Sequence, residues 1–345
     1  MSRRAVTLLI AGIGVLVCLA VVFALPVPYV ALIPGPTYNT LGPLNGKQVV
    51  QITGHRTYSA SGHLNMVTVS YIGGPDSNPP FNIFAALQAW LSPHEAVVPQ
   101  QELFPPGQTQ QQVVKADTEQ MANSQQTAEA AALCQLGIKF ATIDTIASVI
   151  KGLPADGRLH RGDAITAVDG KPVTCHSTSS SIISSRPAGS RVTLTVQRGG
   201  KSRNVTLRTA SYRGRPVVGV TIVESFRFPF KMKINIGNIG GPSAGLMFAL
   251  AIIDKLTPAN LAGGKFIAGT GEITASGSVL PIGGIQQKMA AARAAGATVF
   301  LAPAGNCADT HGAVPRGLRV VKVSTLKGAI AALKALNAGG PVPSC

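Results

Sequence analysis

Gly237-Asn238-Ile239-Gly240-Gly241-Pro242-Ser243-Ala244-Gly245 runs without a break into Leu246-Met247-Phe248-Ala249-Leu250-Ala251-Ile252-Ile253, and the apolar run stops at Asp254. The strand-like segment Lys231 to Ile236 precedes it. A helix that is apolar on every face is a buried helix, so this stretch predicts a strand, a glycine-rich turn and a central helix inside a sizeable domain. Ser243 then stands at the helix N-terminus. Glycines there let a substrate backbone come close, while unpaired N–H groups and the helix dipole can stabilise an oxyanion. Taken alone, Gly-Pro-Ser-Ala-Gly also suits a serine that merely caps the helix.

Further along, Thr270-Gly271-Glu272-Ile273-Thr274 is followed by Gly277-Ser278-Val279-Leu280-Pro281-Ile282-Gly283-Gly284-Ile285-Gln286-Gln287-Lys288. On a helix from Gly284 to Ala295, Lys288 shares a face with Gly284, Ile285, Ala291, Ala292 and Ala295, all small or apolar. Such a face strips water from the amine and lowers its pKa, the condition under which a lysine acts as a base. Together with the serine turn, these segments closely resemble the Lon protease family over roughly residues 225 to 335, with 45 positions between serine and lysine. The resemblance implies an α+β proteolytic domain in which Ser243 is the nucleophile, Lys288 the general base and Thr270 a residue that orients the lysine. Gly240, Gly241 and Pro242 support the serine turn. Gly241 departs from that family, which usually carries an acidic residue before Pro-Ser. No Gly-x-x-x-x-Gly-Lys-Ser/Thr occurs; Gly200-Lys201-Ser202 ends like one, but Thr195 stands where its first glycine belongs. ATP-driven unfolding is therefore not expected of these residues.

Upstream, the segment from Leu153 to Val173, with Gly162-Asp163 leading into the strand Ala164 to Val168 and Asp169-Gly170 forming a tight hairpin, is similar to the second half of a PDZ domain. Further strands are expected at Ile143 to Ile150, Arg191 to Gln197 and Ser202 to Arg208, with a helix around Ser180. PDZ-like modules bind peptides by adding a strand to a sheet edge. The usual carboxylate loop is absent, and Leu136-Gly137-Ile138 is a loose stand-in. From Thr109 to Leu136 the chain is rich in Gln, Ala, Glu and Met with no Gly or Pro, which predicts a partly packed helix. Between 27 and 100, Pro, Gly and β-branched residues predict extended structure with runs such as Gln48 to Thr53 and Asn65 to Tyr71.

Arg3 and Arg4 precede an uncharged apolar stretch from Ala5 to Leu25, which as a helix spans about 30 Å, and Pro26 and Pro28 end it. A cleaved secretory segment is the competing reading, because Val22-Phe23-Ala24 resembles a cleavage site. The apolar region is longer than the roughly 7–15 residues such segments use. As an anchor, the helix keeps its arginines cytoplasmic and the rest of the chain extracytoplasmic. Of five cysteines, Cys18 lies in this stretch, and Cys134, Cys175, Cys307 and Cys345 are even in number, as disulfides require outside the cytoplasm. Three connectivities are open; pairing within each domain, Cys134 with Cys175 and Cys307 with Cys345, is the simplest. The 345 residues carry 30 Lys and Arg against 14 Asp and Glu. The basic residues are thinly spread, aromatics make up 5% and no nucleic-acid motif accompanies them, so a membrane surface fits the +16 charge better than nucleic acid does. No Cys-x-x-Cys or His-Glu-x-x-His occurs, and neither metal nor cofactor is expected.

The expected fold class is α+β: a transmembrane helix (1–26), an extended N-terminal region with a helix near 109–136 (27–125), a PDZ-like β-rich module (126–210) and a Lon-type α+β proteolytic domain (211–345). The function this organisation implies is an ATP-independent, membrane-anchored serine endopeptidase acting on unfolded or peptide-like polypeptides. A non-catalytic membrane-anchored PDZ adaptor is the alternative. An amidase with a Ser-Lys pair ranks below both, since its Gly- and Ser-rich signature is missing. Lon-type domains tend to form rings, so the resemblance also raises a homo-oligomer, for which no interface is legible.

Overall fold

The computed structural model describes residues 3–237 and 239–345; Met1, Ser2 and Asn238, the second residue of the glycine-rich turn, lie outside the described residues. At the N-terminus, helix α1 (Arg3–Ala24) is apolar and long enough to cross a membrane, and its large side chains are exposed. A single hydrogen bond from Leu25 N to Val21 O ends it, and the chain then enters strand β1 (Tyr29–Asn39).

The main sheet is assembled from both ends of the chain. Strand β1 pairs antiparallel with β2 (His63–Gly73) and with β3 (Ala96–Pro99). On its other side β2 pairs in parallel with β9 (Phe266–Gly269), followed by β10 (Val299–Pro303) and β11 (Arg319–Val323), giving the order β11-β10-β9-β2-β1-β3. Residues 27–125, expected as a separate extended region, thus share one sheet with the C-terminal third. Leu64 and Met66 of β2 and Ile267 of β9 point to the same face of this sheet and are buried in one core with the apolar side chains of the segment 246–253. That region also contains a helix the extended reading omits, α2 (Ile83–Leu91), capped by Asn82, whose side chain accepts from Ala85 N.

The long helix α3 (Gln110–Gln135) is opened by a capping box in which Thr109 Oγ1 accepts from Gln112 N and Gln112 Oε1 accepts from Thr109 N. Its inner stripe of Met121, Ser124, Ala128, Ala131 and Ala132 packs on α5 (Gly245–Leu256), the uniformly buried helix read from the sequence. Of two further helices, α7 (Leu326–Asn337) packs beside α5 on one face of the sheet, while α6 (Ile285–Ala294) covers the opposite face, where Ile285, Met289 and Ala292 meet Val67, Ala268 and Phe300.

A second sheet holds β4 (Ala141–Val149), β5 (Ala164–Val168), β6 (Arg191–Arg198), β7 (Lys201–Arg208) and β8 (Val220–Arg227) in the antiparallel order β7-β6-β5-β4-β8. Helix α4 (Ser179–Ser184) covers it, and Ile146, Ile165, Val168, Leu194 and Val196 form its core. The hairpin at Asp169-Gly170 has both residues at positive φ, 50° and 74°, as a tight turn requires. β8 lies beyond the expected end of this module at 210; it supplies the partner that β4 needs along its outer edge. Leu136-Gly137-Ile138 closes α3, with Ile138 N donating to Leu133 O and Gly137 in the left-handed conformation (φ 68°), and so serves as a helix terminator. The edge strand β8 is preceded by Val217-Val218-Gly219, with Gly219 at φ 89°.

Candidate active site

Three segments converge on Ser243. The turn before α5 brings the serine to the helix start, where the backbone N–H groups of Ser243, Ala244 and Gly245 have no acceptor among the described residues. The turn after β9 clamps it: Gly271 N donates to Ser243 O (2.8 Å), Thr270 Oγ1 donates to the same oxygen (2.9 Å), and Leu246 N donates to Gly271 O (3.0 Å). The third segment is α6. Its first residue follows Gly284, which has φ 67°, and a Cβ at Gly284 would stand 2.7 Å from Val69 Cγ2, so only glycine admits this entry. One turn in, Lys288 reaches back, with Nζ donating to Ser243 Oγ at 2.8 Å and to Thr270 Oγ1 at 3.3 Å.

Lys288 and Thr270 are 4% and 1% exposed. No acidic side chain pairs with the lysine among the described residues, whose two ion pairs, Arg186 with Asp169 and Arg198 with Asp163, both lie in the second sheet's module. Burial therefore acts on the amine unopposed and lowers its pKa to about 8. Its position in the first turn of α6 works in the same direction, because the positive end of a helix disfavours a cation. Thr270 has spent its single proton on Ser243 O, so toward Lys288 it can only accept. That leaves the amine a fixed orientation with respect to the serine.

The glycines and proline before the serine rest on α3, a contact the sequence reading did not foresee. Gly241 N donates to Asp117 O (3.0 Å), and Ser124 Oγ donates to Pro242 O (2.9 Å). A Cβ at Gly240 would lie 2.7 Å from Asp117 Cβ. Gly241 has φ 85°, a conformation costly for any acidic residue in its place. The available signal was the spacing of Asp117, Met121, Ser124 and Ala128, which puts two polar residues on the helix stripe that is otherwise small or apolar.

A cleft of about 810 Å³ opens over this site. One wall is α3 around Asp117 and Thr118, and another is β2 from Met66 to Tyr71. The β2–β9 ladder ends at the Met66–Gly269 pair, so Val67 to Tyr71 line the cleft with no strand paired on that side among the described residues. Burial raises the Asp117 carboxyl above its usual range.

Cys134 is bonded to Cys175, tying the end of α3 to the loop before α4, and Cys307 is bonded to Cys345. His176 sits beside the first bridge, with Nε2 3.2 Å from Cys134 Sγ. These three residues would have metal-ligand spacing, but both sulfurs are occupied by the disulfide. Cys18 is unpaired on α1.

Residues 235–334 match the family model described as the Lon protease (S16) C-terminal proteolytic domain, and residues 134–209 match a PDZ domain model. Among curated proteins, a Lon protease of Roseiflexus castenholzii is 35% identical over 127 residues, covering 36% of this chain and 16% of that protein. Lon protease 1 of Bacillus subtilis is 32% identical over 141 residues, 40% of this chain and 18% of that protein. This chain thus spans less than a fifth of the length of either relative. Among solved structures, the PDZ domain of the SdrC-like protein from Listeria monocytogenes is 28% identical, with a TM-score of 0.21, covering 23% of this chain and 86% of that one. The chain carries a PDZ domain followed by an S16-type proteolytic domain.

Proposed function

We propose that this protein is a membrane-anchored serine endopeptidase that cleaves unfolded or peptide-like polypeptides without ATP, with Ser243 as nucleophile and Lys288 as general base. The observation that carries the reading is the 2.8 Å contact between a buried, desolvated amine and a half-buried hydroxyl at the foot of a cleft. With Lys288 neutral, the same contact runs from the Ser243 O–H to the Nζ lone pair, while an amine N–H points at Thr270 Oγ1.

In this mechanism Ser243 Oγ attacks the scissile carbonyl as its proton passes to Nζ. The tetrahedral oxyanion is met by the unpaired N–H groups at the start of α5 and by the helix dipole. Lys288 returns the proton to the leaving amine, and a water that it then activates releases the acyl group. An extended substrate adds its backbone to the unpaired side of β2 between Val67 and Tyr71, next to the serine. No histidine or metal is required.

α1 is the anchor, with Arg3 and Arg4 cytoplasmic and the PDZ and proteolytic domains outside the cytoplasm. The disulfides suit that compartment. The edge of β8 is the surface on which the PDZ domain captures peptide or controls entry to the cleft.

The test is cleavage of casein or a peptide library by the full chain in detergent or vesicles, beside Ser243→Ala and Lys288→Ala. Turnover should be lost in both variants. Equal turnover in all three, or none in any, favours the alternative of a non-catalytic membrane-anchored PDZ adaptor, in which the S16-type domain is scaffold.

A further inference from the structure

Helix α2 is amphipathic in an inverted sense. Its small residues Ala85, Ala86 and Ala89 face inward, packing with Ala31, Phe81 and Val97 on the outer end of the main sheet. Its large ones face outward: Phe84, Leu87, Trp90 and Leu91 fall within about a third of the helix circumference at 100° per residue. Trp90 and Leu91 are 72% and 76% exposed. The nine residues contain no charge, and Gln88 is the one polar side chain on the outer face. A contiguous exposed patch of this composition requires a cover.

Its position says which cover. The chain leaves α1 at Ala24 and within three residues is bonded to the entry of α2, through a bridge between Pro26 and Asn82 and a hydrogen bond from Val27 N to Phe81 O (2.9 Å). Phe23, in the last turn of α1, meets Phe84 edge to face with ring centroids 6.2 Å apart. The outward face of α2 is therefore continuous with the surface of the membrane-spanning helix and starts where that helix leaves the hydrocarbon. Aromatic and leucine side chains at this depth, on a short helix without charge, have the composition of an interfacial helix.

We infer that α2 is a second membrane contact, lying in the headgroup layer of the leaflet from which the soluble domains emerge, with Phe84, Leu87, Trp90 and Leu91 buried against lipid. This rests on α1 being an anchor. Because the inner face of α2 is packed on β1 and β3, the contact would hold the sheet rigidly and not merely tether it. β1 begins at Tyr29 and reaches the level of the cleft wall by Pro34, which pairs with Val69. Five residues of strand are about 17 Å, so the catalytic cleft would be held close above the headgroups, where an extended polypeptide protruding from the bilayer comes within reach.

Trp90 is the only tryptophan in the chain, so its fluorescence reports on this helix alone. The full chain is reconstituted into phosphatidylcholine vesicles, floated on a density gradient, and examined with acrylamide in the water and with lipids brominated high on the acyl chain. The expected result is flotation, blue-shifted emission protected from acrylamide, and roughly twofold quenching by the brominated lipid. In Leu87→Asp/Leu91→Asp, flotation should persist through α1 while the emission shifts red and lipid quenching falls. Flotation with water-like emission overturns the α2 contact and leaves the anchor standing. Blue-shifted emission that brominated lipid does not quench means a protein surface, such as a second copy of the chain, covers the face, and this also overturns it. Failure to float overturns the anchor and the α2 contact together.

Discussion

If Lys288 is the base proposed above, the protonation of its amine, its pKa lowered by burial, should set the pH dependence of acylation. With a pKa of about 8, roughly 9% of the amine is neutral at pH 7; at the usual value of 10.5 only about 0.03% would be, so desolvation raises the competent fraction about 300-fold. The perturbation is pH and the assay is single-turnover labelling of Ser243 by an activated peptide ester, which isolates acylation from release. The rate should climb about tenfold per unit up to pH 7, bend near pH 8 and level off above pH 9, with no such rise in Lys288→Ala. Stability carries the same signature with its sign determined by linkage. The unfolded lysine holds its proton up to about pH 10.5 and the folded one only to about pH 8, so stability rises with pH between those values. Below pH 8 the full penalty applies, about 3 kcal/mol for 2.5 pKa units. Lys288→Met should therefore unfold at higher temperature than the parent at pH 7, with the gap closing above pH 10. A rate profile with its midpoint near 10.5, or one unchanged in the Lys288 variant, would falsify the assignment of this amine as the base.

Substitutions at three other positions separate the roles of further groups. Thr270→Val removes the acceptor for Nζ and the donor to Ser243 O, and should lower the acylation rate about tenfold, near 1.4 kcal/mol, with Thr270→Ser recovering most of it in the same assay. Gly240→Ala places a methyl against the Asp117 Cβ, which is rigidly attached to α3. Thermal unfolding should show a loss of about 1–3 kcal/mol, and a residual labelling rate equal to the parent's would contradict the close packing of turn and helix. Glu129, buried on α3, has its carboxyl raised to about 7 by desolvation, so the folded state holds its proton more tightly than the unfolded chain and stability falls as pH rises from about 4.5 to 7. Glu129→Gln should then raise the melting temperature at pH 8 and change it little at pH 4; an equal effect at both would contradict the ionisation cost.

Features set by near neighbours along the chain were legible in the sequence. The uncharged run of α1, the all-apolar run of α5, the Gly- and Pro-free run of α3 and the Asp169-Gly170 hairpin each express a periodicity or a backbone preference that a few residues fix among themselves. The small residues around Lys288 recur at helical spacing, but its approach to Ser243, 45 positions away, is a contact between segments. What the tertiary structure decided are the contacts between distant segments: β2 against β9 across some 200 residues, the seat of Gly240 to Pro242 on α3, and the inward alanines of α2. Strand runs such as Asn65 to Tyr71 signal extended backbone without naming a partner, because ladder hydrogen bonds are made by the main chain and are nearly the same for every sequence. The choice of partner falls to side-chain packing summed over the whole core, and that sum exists only once the chain has closed on itself.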